Sequence, residues 1–124
     1  MNPDNVGTLE ACQRLKAAGI VLETDFCWRT WIDKEGTPCA ELVDRAELVD
    51  HKRKRNDLPA TKYIPAVQFA EVWRELPVET ILRKTLDGEA TCWIRAKNVV
   101  PAPHSTNPTD ALIDLLILVR EAKP

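Results

Sequence analysis

Few side chains in this sequence have both the type and the spacing for chemistry, and most of those precede one apolar run. His104-Ser105-Thr106 stands directly before Asn107-Pro108 and the segment TDALIDLLILVRE. A helix beginning at Pro108 would turn its free N–H groups toward those residues, where an anion could be received. A histidine there could also move a proton near neutral pH. Two facts weaken both readings. Asp110 already brings negative charge to the helix start. A serine adjacent in sequence to a histidine rarely meets it with the geometry of a nucleophile pair, and a third, orienting group is needed. Capping explains the rest of the stretch: Asn107 as N-cap, Pro108 at the first helical position and Asp110 at the third. His104 then reads as a surface histidine.

Two further groupings could bind without reacting. Trp28, Arg29 and Trp31 crowd into one short segment, and tryptophan and arginine dominate the energetics of protein interfaces. Trp93 or Trp31 could also stack on a base, with Arg95, His104 and Ser105 meeting a nucleotide or another anion. No catalytic residue is assigned. The chain has no G-x-G-x-x-G, P-loop, H-E-x-x-H or G-x-S-x-G segment, and its four glycines leave no phosphate-cradling loop. Cys12, Cys27, Cys39 and Cys92 form no C-x-x-C pair and read as reduced, mostly buried side chains. The sequence therefore predicts neither a metal site nor a cofactor.

Charge narrows the partners. The net charge is −2, so no overall field favours nucleic acid. Lys52, Arg53, Lys54 and Arg55 form a local basic run, but without interleaved aromatic residues it is only a weak exception. The longest apolar run, Leu115 to Val119, is five residues, far short of the ~18–20 needed to span a bilayer. The first residues, MNPDNVGTLE, lack the pattern of a secretory leader. A cytoplasmic location and no membrane partner are expected.

The elements that must position these groups follow from periodicity. Length and composition suit one domain, 1–124. Thr8 caps a helix over 9–18, with Leu9, Cys12, Leu15 and Ala18 at helical spacing and Gly19 at the left-handed position after it. Phe26 to Trp31 alternate as an aromatic strand. Asp33 to Gly36 is a turn, and Cys39 to Val43 returns. Residues 44–62 read as a charged, mobile loop, with room for one helical turn at Ala46 to Asp50. Pro65 reads as the first turn of a helix whose buried stripe is Phe69, Val72, Trp73 and Leu76, stopped by Pro77. Thr80 to Leu86 and Ala90 to Ala96 form a second hairpin, with Asp87-Gly88 as a type I′ turn signal. One face of the returning strand is small and apolar, while the other carries Thr91, Trp93, Arg95 and Lys97. The last helix, 108–122, is apolar on most sides, as a central helix or one that partly meets another subunit. The fold class expected is α+β, a two-layer α-β-β-α-β-β-α domain with a mainly antiparallel four-stranded sheet and helices on one face.

Three segments together, YIPA (Tyr63 to Ala66), EVWRELP (Glu71 to Pro77) and NPTDALIDLLI (Asn107 to Ile117), resemble a group of small bacterial, phage and prophage proteins. In that group a start containing Tyr and Pro leads into a helix ending in Leu-Pro, then an Asp-Gly hairpin, then an N-P-x-D-A-L helix. The group places Ala-Pro at the first helix start, whereas here the order is Pro65-Ala66. The resemblance covers the C-terminal half best. It implies a fold and a mobile-element origin, and no activity comes with it. The function expected is that of a non-enzymatic interaction or accessory protein, meeting another protein or itself. The alternative is a binder of, or minor enzyme on, a nucleotide or other anion.

Overall fold

The computed structural model describes residues 5–44, 46, 61–95 and 102–121. The loop over 44–62, its suggested helical turn and its basic run Lys52 to Arg55 lie almost wholly outside those residues, as do Ala96 and Lys97.

Helix α1 spans Leu9–Ala17. Thr8 caps it, its hydroxyl accepting the Ala11 N–H at 3.3 Å. Ala11, Cys12 and Leu15 face inward. Gly19 has φ of +79°, and the Ile20 N–H reaches back to the Leu15 carbonyl at 3.2 Å, which seats Ile20 in the core.

Strands β1 (Phe26–Ile32) and β2 (Pro38–Asp44) pair antiparallel, with Phe26 opposite Asp44 and Ile32 opposite Pro38. The next segment corrects the sequence expectation. YIPA does not start a helix. It lies in strand β3, Lys62–Ala66, which pairs with the other side of β1. Pro65 is tolerated there because β3 is an edge strand among the described residues, where a missing N–H need break no ladder bond. Helix α2, Phe69–Glu75, begins later, and the Glu71 carboxylate accepts the Gln68 N–H at 2.7 Å. Val72 and Leu76 of the expected stripe are buried. Trp73, next to Val72, is turned away by one helical step. It is 42% exposed and stacks on Phe69 with ring centroids 6.0 Å apart.

Strands β4 (Thr80–Lys84) and β5 (Ala90–Ile94) form the second hairpin, and the short strand β6, His104–Ser105, adds to β5. The class is α+β, but the two hairpins do not share a four-stranded sheet. Among the described residues two three-stranded antiparallel sheets form instead, ordered β2-β1-β3 and β4-β5-β6. The reason is that each hairpin recruits its own third strand, from segments that carry no clear strand period.

The last helix, α3, spans Pro108–Glu121 and contacts α1, α2, β5 and β6. Leu112, Ile113, Leu115 and Leu116 are completely buried in it. Each stabilises the fold by roughly 1.5–3 kcal/mol through loss of apolar surface to water. This helix is the axis on which both halves of the chain pack.

Candidate functional site

The start of α3 is filled by the protein itself. Asn107 Oδ1 accepts the N–H groups of Thr109 at 2.9 Å and Asp110 at 3.3 Å. Ser105 Oγ accepts the Asn107 N–H at 3.1 Å. Asp110, nearly buried, turns its carboxylate onto Thr8, accepting the backbone N–H at 2.8 Å and the hydroxyl at 2.7 Å. The N–H groups that could have held an anion thus hold the chain's own cap, and Asp110 also ties α3 to the start of α1.

Between them runs a tightly held segment, Val6 to Thr8. The Gly7 N–H donates to the Val67 carbonyl at 2.9 Å. The Gly7 carbonyl accepts Trp28 Nε1–H at 3.0 Å, and the Val6 carbonyl accepts Asn107 Nδ2–H at 3.0 Å. A β-carbon on Gly7 would lie 2.5 Å from Ile113 Cδ1 and 3.1 Å from Cys12 Sγ, so a larger residue there would have to push the Ile113 side chain aside. A recess of about 310 Å³ opens here, lined by Leu9, Trp28 and Leu42 among others, and among the described residues no titratable side chain lines it.

The grouping of Trp28, Arg29 and Trp31 divides between two faces. Trp28 lies on the core face, beside Ile64 and Leu42 in register. Arg29 and Trp31 lie on the other face. Arg29 is only 5% exposed, its guanidinium sits 4.5 Å from the Trp31 ring centre, and it meets Glu41 at 3.4 Å. Those two residues hold each other, and Trp28 is anchored inward.

The second sheet is arranged differently. Ala90, Cys92 and Ile94 are buried against α3, with Cys92 Sγ–H directed at the Ala111 carbonyl at 3.1 Å. Thr91, Trp93 and Arg95 therefore point the other way. Across the register, Trp93 stands opposite Ile81, and Thr91 stands between Arg83 and His104. This outer face collects Ile81, Arg83, Thr91, Trp93, Arg95 and His104. Ser105, paired with Ala90, belongs to the inner face. His104 is separated from Ser105 by the strand alternation, and its Nδ1 contacts Glu89 at 2.9 Å. A shallow basin of about 820 Å³ adjoins the face, lined by Arg83, Lys84, Thr91 and His104 together with acidic Asp87 and Glu89; Trp93 and Arg95 lie outside its lining. The structure thus unites Trp93, Arg95 and His104 and separates them from Ser105 and from the tryptophans of β1. Ile81 and Arg83 complete the face. Their signal in the sequence is strand alternation, which sets them on the side of Trp93.

All four cysteines are free thiols. Burial pushes Cys12 up to about 11 and Cys92 up to about 12, so both stay protonated and unreactive at neutral pH. Among the described residues no three His, Cys, Asp or Glu side chains converge on a metal position, and no helix is long and apolar enough to cross a membrane. No protein family, curated protein or solved structure matches the chain.

Proposed function

We propose that this chain is a non-enzymatic interaction protein that presents the outer face of its second sheet to a protein partner. The observation that carries the reading is the pairing of partly exposed Trp93 with Ile81 on a face that α3 does not cover, bordered by Arg83, Arg95 and His104. An aromatic anchor ringed by arginine is the composition of an interface hot spot. The polar groups that would be needed for chemistry are occupied: Ser105 and Asp110 in capping, His104 with Glu89. A phage or prophage origin rests on the resemblance of the C-terminal half. A cytoplasmic location fits four cysteines without a disulfide.

The test is retention of partners on immobilised protein, comparing the wild type with Trp93→Ala and Trp31→Ala while thermal melting checks the fold. The expected result is that Trp93→Ala loses a retained protein and keeps its melting temperature within a few degrees, with Trp31→Ala retaining it. Loss with Trp31→Ala and not with Trp93→Ala would move the interface to the first sheet.

A further inference from the structure

The partner that best fits this face is a second copy of the same chain, a step that rests on the reading just given. Strand β4 is an edge strand among the described residues. The Thr85 N–H donates to Glu89 and the Arg95 N–H to Glu79, so residues 79 and 85 turn their backbone groups toward β5. Antiparallel alternation then aims those of Thr80, Leu82 and Lys84 outward, away from the sheet. The Thr80 N–H is already given to Pro77 at 3.0 Å, and its carbonyl is what the edge offers.

Charge selects how such an edge could be met. Arg83 and Lys84 guard it, as cations commonly guard exposed strands. Glu79, two residues before Ile81, is exposed, as is Arg83, two residues after. Neither has an ion-pair partner among the described residues. Two antiparallel β4 strands related by a two-fold axis through Ile81 would set Glu79 of each copy opposite Arg83 of the other. Two opposite-charge cross-strand pairs would form at once. Ile81 would meet Ile81, and the row Trp93–Ile81 would run on across the axis as one apolar ladder. The Leu82 N–H of each copy would meet the Thr80 carbonyl of the other. An axis through Leu82 instead would set Arg83 against Ile81 and leave Glu79 facing Thr85. A one-residue change of axis thus forfeits both charge pairs.

We infer that the chain self-associates as a two-fold dimer through β4, in the register centred on Ile81 and locked by Glu79–Arg83 pairs. Two short strands meeting edge to edge bury far less than the ~1,600 Å² of a standard interface, so the dimer is weak and concentration-dependent.

Sedimentation of the full chain over a concentration series tests this. The wild type should approach twice 14.0 kDa as concentration rises. Arg83→Glu and Glu79→Arg should each raise the dissociation constant about tenfold or more, because each turns two attractions into repulsions. At concentrations where the wild type is still monomeric their melting curves should match it. Mixed in equal amounts, the two variants should pair with each other, since each then supplies the charge the other lacks, and Trp93→Ala should weaken the wild-type dimer. A wild type that stays at 14.0 kDa throughout would overturn the second copy as partner and leave the retention assay to judge the face alone. A dimer that ignores both charge reversals would overturn the register.

Discussion

The two hairpins close in the same way and are used in opposite ways. In each, one residue on either side of a three-residue loop is hydrogen-bonded: the Asp33 N–H to the Thr37 carbonyl at 3.1 Å, and the Thr85 N–H to the Glu89 carbonyl at 2.7 Å. In each, the last loop residue is a glycine at positive φ, Gly36 at +82° and Gly88 at +87°. In each, an aspartate folds onto the loop: Asp33 accepts the Glu35 and Thr37 N–H groups, and Asp87 accepts the Glu89 N–H and the Thr85 hydroxyl. Those bonds hold the exposed Asp87 carboxyl below its usual range. Yet the first hairpin buries Cys27, Arg29 and Val43 on the face turned away from Trp28, so neither of its faces is open throughout. The second alternates strictly, with Ala90, Cys92 and Ile94 buried and Thr91 and Trp93 partly exposed. The lesson is that aromatic density does not mark a free face. Small residues on one side of β5 let α3 approach closely, and that leaves the large side chains on the other.

The sharpest way to break this comparison is to truncate neighbours. Ile94→Ala should lower the unfolding free energy by roughly 2–5 kcal/mol, as for any fully buried aliphatic side chain. Trp93→Ala, one residue earlier, should cost less, about 0.5–2 kcal/mol, because part of its ring meets water. Denaturant titration of the two proteins gives the answer, and equal losses would mean that the outer face is core.

Asp110→Ala should cost about 1.5–3 kcal/mol, since it removes charge-assisted bonds from a nearly buried site. Because Thr8 adjoins Gly7, and Gly7 holds Trp28, amide exchange should quicken more in β1 than in β5. Uniform quickening would show that the segment does not favour the first sheet.

Alkaline titration separates the thiols. The protons on Cys12 and Cys92, with pKa raised from 9.0 to about 11 and about 12, are kept in the folded chain and lost from the unfolded one. Stability is therefore intact below pH 9 and falls as pH rises through the window up to 11–12, by about 1.4 kcal/mol per pH unit for each thiol while both lie inside it. Replacing Cys92 by Ala should flatten the upper part of that slope. An unchanged slope would show that Cys92 does not titrate in that window. The smallest effects belong to the turns. Gly36→Ala and Gly88→Ala should each cost about 1 kcal/mol, and by similar amounts, since both sit at positive φ with open space around them.

Much of this was legible in the sequence. The Thr8 cap, the Gly19 stop, the two hairpins and the Asn107 cap each rest on local rules, and each holds. The small-and-large division of β5 was readable from alternation alone. Three things were not. Asp87-Gly88 signalled a two-residue turn, but the Gly88 N–H bonds to the Thr85 carbonyl, so Leu86 and Asp87 occupy the centre and glycine follows them. Both are allowed endings for the same dipeptide, and the strand register decides between them. YIPA carries a proline that suits a helix start and an edge strand equally, and only the partner strand distinguishes them. A two-residue strand such as β6 has no period at all. Since β3 and β6 are the third strands of their sheets, missing both made one four-stranded sheet look natural. That Trp28 and Trp31 face opposite ways was readable too, since side chains three residues apart on a strand point to opposite faces.

The stitching of Val6 to Thr8 onto Asn107 and Asp110 sets an order of events during synthesis. Thr8 and Asp110 are 102 residues apart, and so their bonds form only after the last helix has emerged. At ribosomal speeds of about 5–20 residues per second that is a wait on the order of ten seconds. Through that interval α1 has no α3 to pack on, and the second hairpin, made late, has no helix to cover its small-residue face. The nascent chain therefore shows chaperones apolar surface that the finished protein hides, and the core closes in one late step when α3 arrives.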